Sequence, residues 1–397
     1  MGYVLVLHRW TLRQARYSAY PRAGHEVVFL ATPASALTTG APADQLVRVT
    51  SLDDPAEVDA AITALLESRG TPERIVGLNE ADLMTAARWR ERLALPGDGP
   101  RTVARFRDKL TMLGLVRSGG VVPVPEFLPA GDTAGAVAAA GRLGYPVVCK
   151  PRDGTASLGV RLIDGPGDWD GVEVTVPSIV QRRCDWPIGH VDGWWDGRET
   201  VVARSSLYVN DCANFLTGRG LGSYELGPGP RATAMTGAAH DVLTLMSPGR
   251  PTVFHLELFV GEHGEVRFLE IAARAGGAEI PFLWREVHGT DLIRVAWCFQ
   301  MGLPVTPEAP ETYRAPESDQ AVGVDQEVGA GREPVRAGWA LSHQATRDVP
   351  HVYWSSQAGP PDAAGVYEGA RTRYRLRAAE PEQVEKAIQE ILLPEEA

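Results

Sequence analysis

Lysine is nearly absent from this sequence of 397 residues. Of its 39 basic residues only Lys109, Lys150 and Lys386 are lysines, and every other cation is an arginine. Cysteine is scarce too. Cys149, Cys184, Cys212 and Cys298 are widely separated and form no C-x-x-C pair. That spacing argues against a zinc cluster or a disulfide framework and fits a reducing compartment. Long apolar runs are missing as well. The opening "MGYVLVLHRW" holds a five-residue run, too short for a signal core, and no run approaches the roughly 20 residues that span a bilayer. Positive charge is in deficit, with a net charge of −11 and a pI near 5.4. The balance disfavours nucleic acid and acidic membranes as partners but leaves room for a local basic pocket. The expectation is a soluble cytoplasmic protein.

What is present reads as two or three domains. "YVLVL", "HEVVFLA" and "RIVGLNE" are short apolar, β-rich runs. The helical pattern "DPAEVDAAITALLES", opened by an Asp cap and followed by Gly70, lies between the last two. Strands alternating with helices predict a parallel α/β domain over residues 1–100, closed by the punctuation "LALPGDGP". A basic helix "RTVARFRDKLTMLGLV" follows. Further on come the strands "SIVQRR", "TVVARSSLYV", "TVFHLELFV" and "EVRFLEIAA", an α+β pattern. The Gly-dense residues 212–231 are expected to form a mobile loop. The last ninety residues begin with the polar "VTPEAPETYRAPESD" and end in the helix "PEQVEKAIQEIL".

Chemistry concentrates in two stretches. In "YPVVCKPRDGTASLGV" Lys150 leaves a strand beside a loop containing Gly154, Thr155, Ser157 and Gly159. An ammonium beside small residues suits a phosphate, although the order of a Walker A loop is absent. A solvated surface turn is the alternative. The second stretch, "TVFHLELFVGEHGEVRFLEIAARAGG", reads as a hairpin with one carboxylate inside each apolar strand. Alternation would set Glu257 beside His255 and Phe259, and Glu270 beside Phe268 and Ala272. Carboxylates so placed are costly unless compensated, and a divalent cation bridging Glu257 and Glu270 is the economical answer. His255 reads as packing, and Arg274 near the strand end as a partner for an anion. Trp194, Trp195, Arg204 and Tyr224 read equally as packing or as pocket lining.

The order "RDKLTM", "VVCKPRDGTASLGV", "IVQRR", "HVDG", "HLEL…FLEIAARAGG" resembles the ATP-grasp superfamily, in its carboxylate–amine ligase branch, over roughly residues 70–305. The resemblance implies an N-terminal pre-ATP-grasp domain (1–100), an ATP-grasp domain (101–305, small lobe about 122–185) and a C-terminal subdomain (306–397). It implies ATP phosphates held by Lys109 and Lys150 under a loop around Ser157. Adenine would sit against the hinge from Gln181 through Arg182 to Cys184. Mg²⁺ would lie on Glu257 and Glu270, and an acyl phosphate against Arg274. Two departures stand out: Ala272 replaces the family's Asn, and Ile188 replaces its Glu before "HVDG", leaving His190 as a candidate for ribose or adenine. The implied reaction joins a small-molecule carboxylate to an amine by way of an acyl phosphate, in a specialised pathway such as antibiotic biosynthesis. A carrier protein or a non-amino-acid amine is the alternative partner, and a homodimer is the default assembly. A nucleotide-binding protein without catalysis is the rival class, with Ala272 as its mark. A biotin-dependent carboxylase is disfavoured, because no Met-Lys-Met site is present.

Overall fold

The computed structural model describes residues 2–212, 215, 217–305, 335–357 and 370–393. The first sheet is built from β1 (Tyr3–His8), β2 (Glu26–Ala31), β3 (Leu46–Arg48) and β4 (Arg74–Gly77). They are parallel, in the order β3-β2-β1-β4. Every residue of β1 is buried, as a parallel strand covered on both faces requires. The helix Pro55–Arg69 starts where the sequence predicts, with the Asp54 carboxylate accepting from the N–H groups of Ala56 and Glu57.

The expected basic helix is two helices, Pro100–Arg107 and Lys109–Gly119. Asp108 between them is extended (φ −92°, ψ 105°), and its carboxylate accepts from Leu110 N–H and from the Thr111 hydroxyl. A local cap outcompetes helix continuation there, and it leaves Lys109 as the first residue of a new helix. A second sheet follows, antiparallel and ordered β5-β8-β6-β7. Its strands are β5 (Phe127–Ala130), β6 (Val147–Pro151), β7 (Arg161–Ile163) and β8 (Ser178–Arg182). Lys150 on β6 pairs with Ile179 on β8.

The largest sheet holds β9 (Ile188–Trp195), β10 (Thr200–Val209), β11 (Leu221–Glu225), β12 (Thr252–Val260), β13 (Val266–Ala272), β14 (Arg336–Ser342), β15 (Val352–Gln357) and β16 (Thr372–Ala378). The order is β13-β12-β9-β10-β11-β14-β16-β15, so the C-terminal strands extend the sheet that carries Glu257 and Glu270. The helices Lys109–Gly119, Pro230–Met246 and Pro381–Leu392 cover one face of it. The helices Ile280–Glu286 and Leu292–Met301 cover the other. Trp195 and Tyr224 belong to the core of the first face, which removes them from any pocket on the second.

The region 212–231 corrects the sequence reading. It contains β11, a buried strand between β10 and β14, and two of its glycines, Gly220 and Gly222, serve close packing. A Cβ on Gly222 would stand 2.4 Å from Ile388 Cγ2, and one on Gly220 would stand 2.3 Å from Leu392 Cδ2. The helix Pro381–Leu392 therefore lies directly on backbone there. The polar stretch that begins at Val305 lies, from residue 306, outside the described residues. Among the described residues no helix is long and apolar enough to cross a membrane.

Candidate active site

A cavity of about 570 Å³ lies between the second sheet and the largest one. Lys109, Lys150, Ser157, Gln181, Arg182, Cys184, Glu257 and Glu270 all line it. Each was singled out by the sequence. Its volume falls within the usual range for a ligand pocket, roughly 300–1,000 Å³. The loop over it turns through two consecutive left-handed residues, Ala156 (φ 49°) and Ser157 (φ 58°). Non-glycine residues rarely adopt that conformation, and where they do it often marks a functional loop.

Lys109 and Lys150 approach Glu270 from different elements, the first in contact and the second through its field. Lys109 Nζ donates to Gly154 O (2.9 Å) and lies 3.1 Å from Glu270 Oε2. Lys150 is buried, and burial with the neighbouring Lys109 charge pushes its ammonium down to about 8 against the pull of Glu270 and Glu257. Burial opposes ionisation of Glu270 as well, but Lys109 and Lys150 outweigh it and hold the carboxyl below its ordinary range. Glu257 and Glu270 face each other across β12 and β13. The register shifts just beyond them: Glu257 pairs with Glu270, whereas Leu258 pairs with Phe268. Leu269 is the bulged residue. Simple alternation therefore fails on β13. Phe268 enters the core, while Leu269 and Glu270 both line the cavity.

Two predicted residues lie elsewhere. Arg274 does not line the cavity; its Nε donates to Glu80 Oε2 (2.6 Å) and its Nη1 to Ala275 O (2.7 Å). Glu80, which follows β4, also accepts from Arg107 Nη1 at 2.6 Å. Arg107 in turn donates to Asp153 O in the loop after Lys150. One buried carboxylate of the N-terminal region thus ties Arg274 to the phosphate-side loop. Burial works against its charge, but Arg274 and Arg107 hold it below the ordinary carboxylate range. The sequence showed Glu80 only as the end of a strand motif.

His190 is the second. It is 2 % exposed and does not line the cavity, so it is not placed to contact a nucleotide there. Its Nδ1 is 2.6 Å from Asp192 Oδ2 and its Nε2 is 2.6 Å from Ser223 Oγ. The other oxygen of Asp192 meets His255 Nδ1 at 2.9 Å. His255 Nε2 stands 3.4 Å from Glu257 Oε1, which also accepts from the Tyr208 hydroxyl at 3.0 Å. His255 is thus more than packing. Burial disfavours its charge, yet Asp192 and Glu257 raise it to about 9. The ligating atoms of His190, Asp192 and His255 lie within 4.8 Å of one another. Both oxygens of Asp192 are engaged by imidazoles, so the trio reads as a hydrogen-bonded chain that steadies Glu257. Gly276 passes over it: a Cβ there would stand 2.5 Å from Asp192 Oδ1.

No protein-family model matches the chain. Over 247 residues it is 27% identical to the L-arginine-specific L-amino acid ligase of Bacillus subtilis. The match covers 58% of this chain and spans 58% of the relative's length. Among solved structures the chain is similar to the L-amino acid ligase from Bacillus licheniformis, with a TM-score of 0.68 at 16% identity over 98% of this chain and 97% of that one. It is similar to the carboxyaminoimidazole ribonucleotide synthase from Aspergillus clavatus complexed with ATP, with a TM-score of 0.68 at 12% identity over 98% and 97%. It is also similar to the N5-carboxyaminoimidazole ribonucleotide synthetase from Thermus thermophilus, at 0.63 and 16% over 99% and 100%. Likeness at such identities establishes a common fold across nearly the whole chain.

Proposed function

The chain has the ATP-grasp fold, and from that premise we propose that it is an ATP-dependent ligase joining a carboxylate to an amine. The observation that carries this reading is the convergence of Lys109, Lys150, Glu257 and Glu270 on one cavity. Two cations and two carboxylates there match the needs of a nucleoside triphosphate and a divalent cation. The hinge Gln181, Arg182 and Cys184 would take adenine, and Ser157 would lie in the loop that closes over the phosphates.

Glu257 and Glu270 suit Mg²⁺, a hard cation that accepts one or two carboxylates and fills its shell with water and phosphate oxygens. When bound, it supplies charge neutralisation at the phosphoryl group. Ala272 offers no side-chain oxygen, so a single ion on the two glutamates is the economical arrangement.

In the first step an oxygen of the substrate carboxylate attacks the γ-phosphorus, and the bond to ADP breaks. In the second the amine nitrogen attacks the acyl carbon, phosphate leaves, and the nitrogen loses a proton. Lys109 and Lys150 stabilise charge on the transferred phosphoryl group. Arg274, which Glu80 fixes outside the cavity lining but within electrostatic reach of Glu257, would act on the acyl phosphate from that side. Closure of the loop around Ser157 over the cavity would limit water, which would hydrolyse that intermediate.

The relatives named as L-amino acid ligases favour amino acids as substrates, and we place the reaction in a specialised pathway such as antibiotic biosynthesis. Phosphate release from Mg·ATP, measured over a matrix of amino-acid carboxylates and amines, tests the reading. Release that requires both substrates and disappears in Glu270→Gln is expected. ATP binding without release in any combination would favour the non-catalytic class.

A further inference from the structure

Beyond Glu257, on the side away from the nucleotide cavity, Arg204 on the face of the largest sheet has an open donor, as does Arg285 on the helix that covers this face. Along β12, Glu257 and Phe259 line the cavity and His255 does not; along β10, Tyr208 lines it and Arg204 does not. Register puts Arg204 opposite Asp192, which is opposite His255. Two strand spacings across and two residues along place Arg204 roughly 12 Å from Glu257, backbone to backbone. The buried Asp192 and His255 side chains, with Gly276 over them, fill the sheet surface between the two, so a ligand held by Arg204 would lie above that layer.

The arginines on this face differ in what they have left to give. Arg375 is engaged on both sides: Nε donates to Glu279, Nη1 donates to Glu286, and its guanidinium lies over Phe282 and Trp354. Arg373 is held by Glu279. Arg204 is a third exposed, and its buried Nε has no hydrogen-bond partner among the described residues. Among the described residues its ion-pair partner is Glu225, with Oε2 4.0 Å from Nη1. Glu225 is already met by His288 Nε2 (2.5 Å) and by Ala337 N–H (3.1 Å). Trp284 walls the other side, 5.9 Å from the guanidinium carbon. A buried donor without an acceptor is costly, and a carboxylate is the acceptor that a guanidinium fork fits best.

We propose that Arg204 binds the free α-carboxylate of the amine-donating amino acid and thereby selects amino acids over amines that lack one. This rests on the ligase reading above. Arg204 would act as a specificity residue, turning the amine toward the acyl centre at Glu257 and Glu270.

The test compares the best amine-side L-amino acid with its α-amide, which attacks as an amine but has no carboxylate to offer. For the wild type, kcat/KM with the amide should be at least about 30-fold below that with the acid. Arg204→Met should lose the same factor with the acid and nothing further with the amide, while KM for ATP stays unchanged. Arg204→Lys should recover part of the acid rate. Wild type that uses amide as well as acid overturns the assignment, and that comparison needs no variant to fold. So does an Arg204→Met enzyme that still discriminates between the two. Glu270-dependent turnover indifferent to the amide would sink the Arg204 role alone, whereas no turnover with any pair would remove the ligase reading and this assignment with it.

Discussion

Glu80→Gln removes the charge that holds two guanidinium groups together. Each carboxylate oxygen of Glu80 accepts one bond of 2.6 Å, from Arg107 on one side and Arg274 on the other, and the residue is 9 % exposed. Breaking a buried charge pair from one side costs about 3–5 kcal/mol, because the remaining charge stays desolvated. Glutamine keeps one acceptor oxygen, so a loss of about 3 kcal/mol, the low end of that range, is expected for Glu80→Gln. Urea unfolding followed by fluorescence measures it. Arg107→Met on the Glu80→Gln background should cost at least about 1.5 kcal/mol less than the two single changes added together, since one stranded cation is gone. Activity supplies an independent reading. Arg274 loses its anchor while the lysines keep theirs, so kcat should fall with KM for ATP little changed. The contribution also has a pH signature. Because the folded carboxyl titrates below its ordinary range, its stabilisation is complete at neutral pH and is lost as pH falls through the folded value. A Glu80→Gln protein within about 0.5 kcal/mol of wild type and fully active would refute this reasoning.

Other consequences follow from single groups. Lys150, depressed to about 8 by burial, should give kcat/KM for ATP an alkaline limb near pH 8, because the ammonium is present below that value and lost above it. Lys150→Arg should move the limb beyond about pH 10; a limb unmoved would assign it to another group. His8 is buried against Tyr17 and Thr38 and held neutral down to about 4, mainly by burial. Below its ordinary value the unfolded chain takes a proton that the folded one refuses, so stability should fall by about 3 kcal/mol between about pH 6.5 and 4. His8→Asn should flatten that decline in acid unfolding curves. Tyr208→Phe removes the hydroxyl that steadies Glu257 and should lower kcat/KM about 10-fold with the fold intact by circular dichroism.

The lysines and the paired glutamates were legible because each breaks a local rule. Lysine is nearly absent elsewhere in the sequence, and a carboxylate inside an apolar strand needs compensation. The bulge at Leu269 was not legible, since strand alternation assumes an unbroken ladder. Nor was the function of Glu80, whose partners lie 27 and 194 residues away in sequence. The His190–Asp192–His255 chain has the same difficulty, because it assembles by register across β9 and β12. The Gly-rich region misled for another reason. Glycine signals either freedom or close approach, and only the helix lying on Gly220 and Gly222 distinguishes the two.

The most direct test of the account follows the carboxylate oxygen. A substrate amino acid labelled with heavy oxygen in its carboxylate would be turned over with Mg·ATP and an amine, and the released phosphate analysed by mass spectrometry. Passage through an acyl phosphate predicts one labelled oxygen in each phosphate released and an amide that retains the other. Phosphate without label, released at the rate of amide formation, would contradict it.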